Sequence, residues 1–130
     1  METGIVKLTP ELLAIFSGTE NSNSLMPFTR EIFLLDIVVA GTSFCENLAA
    51  VLPSLEKDTV LKMVRDPENQ HDEYAIAIFF NETRIGWVPR DMNQVISRLM
   101  DAGKMFFCRI NKISEIHGWT KIDAKIYMVE

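Results

Sequence analysis

Apolar residues fall into two rhythms along the chain, one of period two and one of period three to four. Ile122, Ala124, Ile126 and Met128 alternate with Lys121, Asp123, Lys125 and Tyr127, the pattern of a strand with one buried and one wet face. Phe106, Cys108 and Ile110 alternate in the same way with Phe107, Arg109 and Asn111. Residues 59–65 and 84–88 read as shorter strands, and residues 74–80 are apolar enough to need cover on both faces. Residues 32–44 are rich in branched and aromatic side chains and predict a long strand bent at Gly41. The second rhythm belongs to residues 89–104, where Met92, Val95, Ile96, Leu99 and Met100 form one helical stripe and Gly103 supplies the stop.

Two shorter helical stretches complete the pattern. Residues 46–56 place Leu48, Val51, Leu52 and Leu55 inward, with Pro53 limiting the length. Near the start, Thr9 can cap, Pro10 suits a first helical position and Gly18 ends a helix over residues 9–17. A polar stretch without period, residues 19–29, reads as a linker. The chain therefore divides into an N-terminal helix and linker, residues 1–30, and a β domain, residues 31–130. Six strands with short links and few helices predict a mainly β fold, a small closed barrel. Leu12, Leu13, Ile15 and Phe16 need cover, so the first helix is expected to pack on the barrel or to join two copies as a homo-oligomer.

Composition narrows the setting. With 48% hydrophobic and 24% charged residues over 130 positions, the chain suits one domain with a real core. Neither a membrane-spanning run nor a signal-peptide pattern stands out, so a cytoplasmic protein with no membrane partner is expected. Cys45 and Cys108 sit among strand-like residues without paired spacing and read as buried or half-buried thiols. A net charge of −5 disfavours broad, charge-driven binding to duplex nucleic acid, yet leaves room for a small pocket gripping one or two nucleotides.

The stretch with the most chemistry is VRDPENQHDEYAIAIFF, residues 64–80. Asp66, Glu68, Asn69, Gln70, His71, Asp72 and Glu73 fill one connection between two apolar strands. As a calcium loop it lacks the required glycine at the sixth position and the glutamate at the twelfth. A zinc site would need more His or Cys than His71 and the distant His117 supply. His71 and Asp72 are adjacent, and adjacent side chains on an extended chain point to opposite faces, which suits them poorly for a catalytic pair. No nucleophile elbow or phosphate-binding loop is present, so neither enzyme activity nor a metal or other cofactor is expected. Two readings remain: a turn built on Asp66-Pro67, with Asn69 and Asp72 capping amides, or a ligand loop that aims the Asp72 carboxylate.

Several of these residues together resemble the HIRAN domain. Arg65, Pro67, Asn69, Asp72, Ala75 and Ile76 match that family's R-[ED]-P-x-N-x-x-D-x-x-A-I loop in order and spacing. Ile85, Gly86 and Pro89 match its I-G-x-x-P turn, Gly41 and Phe44 its first-strand element, and residues 99–103 its helix end. The resemblance covers residues 34–113 and implies a barrel related to OB and SH3 folds, an accessory module of DNA translocases that holds single-stranded DNA by a 3′ end. It implies a nucleic-acid-binding set of Phe44, Asn69, His71, Asp72, Trp87 and Arg65, with polar readers beside stacking rings.

The chain also departs from the best-known DNA-binding members of the family. Ser43 stands where they have Arg, His71 where they have Tyr, and Trp87 where they have His. These departures imply an altered or weakened site. The alternative function is a protein-interaction barrel that has lost the DNA pocket and takes a protein partner instead.

Overall fold

The computed structural model describes residues 5–7 and 28–130, with side chains described from Arg30 onward. Its strands are β1 (Ile5–Lys7), β2 (Phe28–Val38), β3 (Val60–Arg65), β4 (Ile76–Phe80), β5 (Thr83–Trp87), β6 (Met105–Ile116) and β7 (Trp119–Val129). They form one antiparallel sheet in the order β1-β2-β7-β6-β3-β4-β5. Two α-helices, α1 (Leu48–Val51) and α2 (Asn93–Asp101), sit in the connections. The fold is mainly β and OB-like, as the alternation and the resemblance predict. The helix expected over residues 9–17 and most of the linker lie outside the described residues, while β2 takes in the linker's last two positions.

Six of the strands, β2 to β7, curl into the barrel, and a single antiparallel bridge between Ala40 and Trp87 brings its two ends together. Each of these residues donates its N–H to the other's carbonyl at 2.8 Å. Glycine is required opposite this seam. A Cβ on Gly86 would run into the Val39 side chain and stand 2.6 Å from the Ala40 carbonyl oxygen. The strand expected over residues 32–44 ends at Val38. Gly41, at φ 72°, then turns the chain into a 3-10 turn over Thr42–Phe44.

Register sorts the side chains into an inner and an outer face. Leu61, Cys108 and Ile126 lie opposite one another across β3, β6 and β7, and Met63 lies opposite Ile78. All five are buried in the core, joined by Ile37, Val39, Ile76, Ile85, Ile110, Ile122 and Ala124. Burying each large aliphatic side chain contributes about 1.5–3 kcal/mol.

Helix α2 is shorter than the pattern predicts and is rolled about its axis. Its buried residues are Asn93, Ile96 and Ser97, while Val95 and Met92 of the expected apolar stripe are exposed. A specific bond explains the roll: the Asn93 amide reaches inward to Asp72. No helix among the described residues is long and apolar enough to cross a membrane.

Candidate nucleic-acid interface

The polar connection between β3 and β4 is a loop bonded mainly to itself. Its neck is closed by the N–H of Asp66 donating to the Ala75 carbonyl at 3.0 Å, and by the Ala75 N–H donating to the Asp72 carbonyl at 3.1 Å. Asn69 organises the tip. Its Oδ1 accepts the N–H groups of His71 (2.8 Å) and Asp72 (3.1 Å), and its Nδ2 donates to Asp66 Oδ2 at 3.1 Å. Asparagine suits such a turn because a short amide offers both an acceptor and donors next to the backbone.

Arg65 clamps the loop from beneath. Nη1 donates to the Ala75 carbonyl, Nη2 to the Glu73 carbonyl at 3.0 Å, and Nε to Asp101 Oδ1 at 2.9 Å. The side chain is only 13% exposed. A planar guanidinium can serve these divergent acceptors at once, where a lysine ammonium could not reproduce the arrangement. Arg65 thus ties the loop to the C-terminal end of α2. Above it, Arg98 bonds the Tyr74 hydroxyl at 2.9 Å and lies over its ring.

Asp72 ties the same loop to the other end of α2. Its Oδ1 accepts the Tyr74 N–H at 2.9 Å, and its Oδ2 accepts the amide of the buried Asn93 at 2.7 Å. Arg90 stands 3.7 Å from the same oxygen and is 76% exposed. A carboxylate has about four acceptor positions, so two hydrogen bonds leave capacity for another donor. Neighbouring His71 is exposed on the loop.

The aromatic part of the site is built on the barrel seam. Phe44, at the end of the 3-10 turn, is 79% exposed. A Cβ on Gly41 would come within 2.6 Å of the Trp87 ring, so the absence of that atom lets the indole pack against the turn; the Phe44 ring stands 3.8 Å from the same position. Trp87 is half-buried, with the Arg84 guanidinium 4.7 Å over its ring. Its Nε1 is buried and has no hydrogen-bond partner among the described residues. Cys45 lies below: burial pushes its thiol upward in pKa, and the nearby Arg84 partly opposes the shift.

Of the six residues singled out from the sequence, Phe44 and Trp87 both border Gly41 at the seam, Asn69, His71 and Asp72 share the loop, and Arg65 clamps it from the end of β3. The two groups are joined by the chain from Trp87 to Asn93, held to β4 by the Val88 N–H donating to the Ile76 carbonyl at 3.0 Å. Two further residues escaped sequence reasoning. Asn93 is a buried polar residue beside an apolar stripe, and a hydropathy pattern carries no sign of it. Trp119 donates its Nε1 to Thr42 Oγ1 at 3.2 Å, and that hydroxyl donates to the Thr120 carbonyl at 2.9 Å. This places a half-exposed ring beside the Phe44 turn. Among the described residues no group of three or more His, Cys, Asp and Glu could hold a metal ion.

A family model, the HIRAN domain, matches residues 32–129. Two solved structures are similar in fold. A protein from Lactobacillus plantarum is 21% identical, with a TM-score of 0.70, over 77% of this chain and 96% of that one. The HIRAN domain of human HLTF is 14% identical, with a TM-score of 0.61, over 76% of this chain and 78% of that one. No curated protein matches the chain in sequence.

Proposed function

The chain belongs to the HIRAN domain family, known as a DNA-binding module, and on that premise we propose that it is a non-catalytic barrel that holds single-stranded DNA by a 3′ end. The observation that supports this reading is that one barrel carries both an exposed ring, Phe44, and a carboxylate, Asp72, whose position is fixed at both oxygens. A base stacked on an exposed ring gains about 1–3 kcal/mol. A fixed acceptor with spare capacity can take the proton of a terminal hydroxyl, and a blocked end cannot offer one. His71 adds a second stacking surface at the loop. Asn69 and Arg65 act by holding that loop in shape.

Titration of single-stranded oligonucleotides with free and blocked 3′ ends, at low and at physiological salt, tests the reading. Tighter binding of the free end at both salts is expected. Equal affinity for the two ends would overturn end recognition. The second reading, a protein-interaction barrel, is favoured by Met92 and Val95, exposed apolar residues just before and within the first turn of α2. Binding of neither oligonucleotide would leave that reading standing.

A further inference from the structure

The outer wall of the barrel carries a row of side chains of which only Arg84 touches the site above. Residues paired directly across neighbouring antiparallel strands project on the same face. Arg84 on β5 pairs with Phe79 on β4, and Phe79 pairs with Lys62 on β3. Arg84 and Lys62 are exposed and Phe79 is half-buried between them. Neither cation forms an ion pair among the described residues. The row begins at the seam, because the Arg84 guanidinium lies over Trp87.

Beyond Lys62 the character of the wall changes. The row continues through Phe107 and Tyr127 to Phe33, with Tyr127 stacked on Phe107 at 5.2 Å. The cations there are already matched. Arg109 bonds Glu31 at 2.8 Å, and Lys125 bonds Asp36 at 2.8 Å. Unmatched positive charge in this row is therefore confined to Arg84 and Lys62. What sets Arg84 and Lys62 apart is that they flank the Phe79 ring on neighbouring strands.

From this placement we infer that Arg84, Phe79 and Lys62 form a track for the single strand as it leaves the end site, gripping its phosphates outside the Phe44–Trp87 seam. Alternating cations and rings are what a sequence-tolerant single-strand path requires: charge for the backbone and a flat face for a base. Adjacent strands lie about 4.8 Å apart, so the backbones that carry the two cations are about 10 Å apart across the wall. The track deepens the proposed function and rests on it. It commits the polynucleotide to run from the seam across β5, β4 and β3, and not along the hairpin of β6 and β7.

Lys62→Ala tests the track, because this side chain is exposed and its loss should leave the fold intact. Lys112→Ala on the β6–β7 hairpin serves as a control for diffuse charge. Affinities of the full chain are measured against oligonucleotides of roughly 4 and roughly 16 nucleotides, the span of site sizes for such barrels, across a salt series. With the long strand, Lys62→Ala should lower the slope of log K against log salt by about 0.7, the value for one phosphate contact on a single strand. The short strand should bind Lys62→Ala and wild type alike, and Lys112→Ala should match wild type throughout. An unchanged slope for Lys62→Ala, or an equal fall for Lys112→Ala, overturns the track. If free and blocked ends bind alike while Lys62→Ala still lowers the slope, end recognition fails and the track stands. If no strand binds wild type, both fail.

Discussion

Replacing Asp72 with alanine separates two roles that the structure gives one carboxylate. Asp72 Oδ2 is the acceptor, at 2.7 Å, for the amide of Asn93, which is only 2% exposed. Removing it leaves a buried donor with no partner, at a cost of about 1–3 kcal/mol. For a domain of this size that is a fall in Tm of roughly 3–12 °C. The Arg90 contact adds little, since Arg90 is 76% exposed and surface pairs of this kind contribute about 0–1 kcal/mol. Asp72→Asn should behave differently. It keeps an acceptor for the Tyr74 N–H, and the Asn93 amide can flip to present its carbonyl, so stability should stay within about 1 kcal/mol of wild type. Thermal melts of the two variants beside wild type, followed by end-specific titration below both midpoints, read the stability and binding terms in turn. If Asp72→Ala melts with wild type, the account of Asn93 is wrong. If it weakens free and blocked ends equally, Asp72 acts only by holding the loop.

Phe44→Ala should weaken single-strand binding by about 1–3 kcal/mol and leave stability within about 0.5 kcal/mol; a large fall in Tm would show that the ring supports the fold. Gly86→Ala should destabilise the barrel by about 1–3 kcal/mol, because the added methyl meets Val39 and Ala40 at the seam; an unchanged urea midpoint would contradict that account of closure. Burial pushes the Cys108 thiol up to about 12, so it should resist alkylation in the folded chain and react on unfolding. The same shift favours the folded state below pH 9.0, and that contribution is lost as the pH rises from 9.0 toward about 12; rapid labelling of Cys108 in the native protein would refute it.

Much of the barrel could be read from alternation, because a strand with one wet face writes its register into residue types. Ile122 to Met128 are such a case, and so are Phe106, Cys108 and Ile110. The pattern failed where a single contact outweighs periodicity. Residues 32–44 look like one strand, but the Ala40–Trp87 bridge and the left-handed Gly41 end it at Val38. Met92, Val95, Ile96, Leu99 and Met100 look like a buried stripe, but the bond from Asn93 to Asp72 rolls α2 so that polar residues face inward. A buried polar residue is invisible to a hydropathy pattern, and its partner lies 21 positions away. The family motif marks the loop residues but not their division of labour, which depends on where each donor and acceptor ends.

That division bears on why a loop with so many polar groups suits a binding site. Arg65 and Asn69 direct their polar atoms to acceptors and donors within the loop and at the end of α2. They have little left to offer a ligand, yet they fix the backbone that carries His71 and Asp72. Ordering a loop on binding costs about 0.5–1.5 kcal/mol for each immobilised side chain. A loop already bonded to itself avoids most of that cost. Asp72 then presents a held acceptor, and Phe44, carried on a separate turn beside the closed seam, presents a ring that folding has not used. On the proposed function, Arg65 and Asn69 therefore serve recognition by holding the loop and not by touching the ligand.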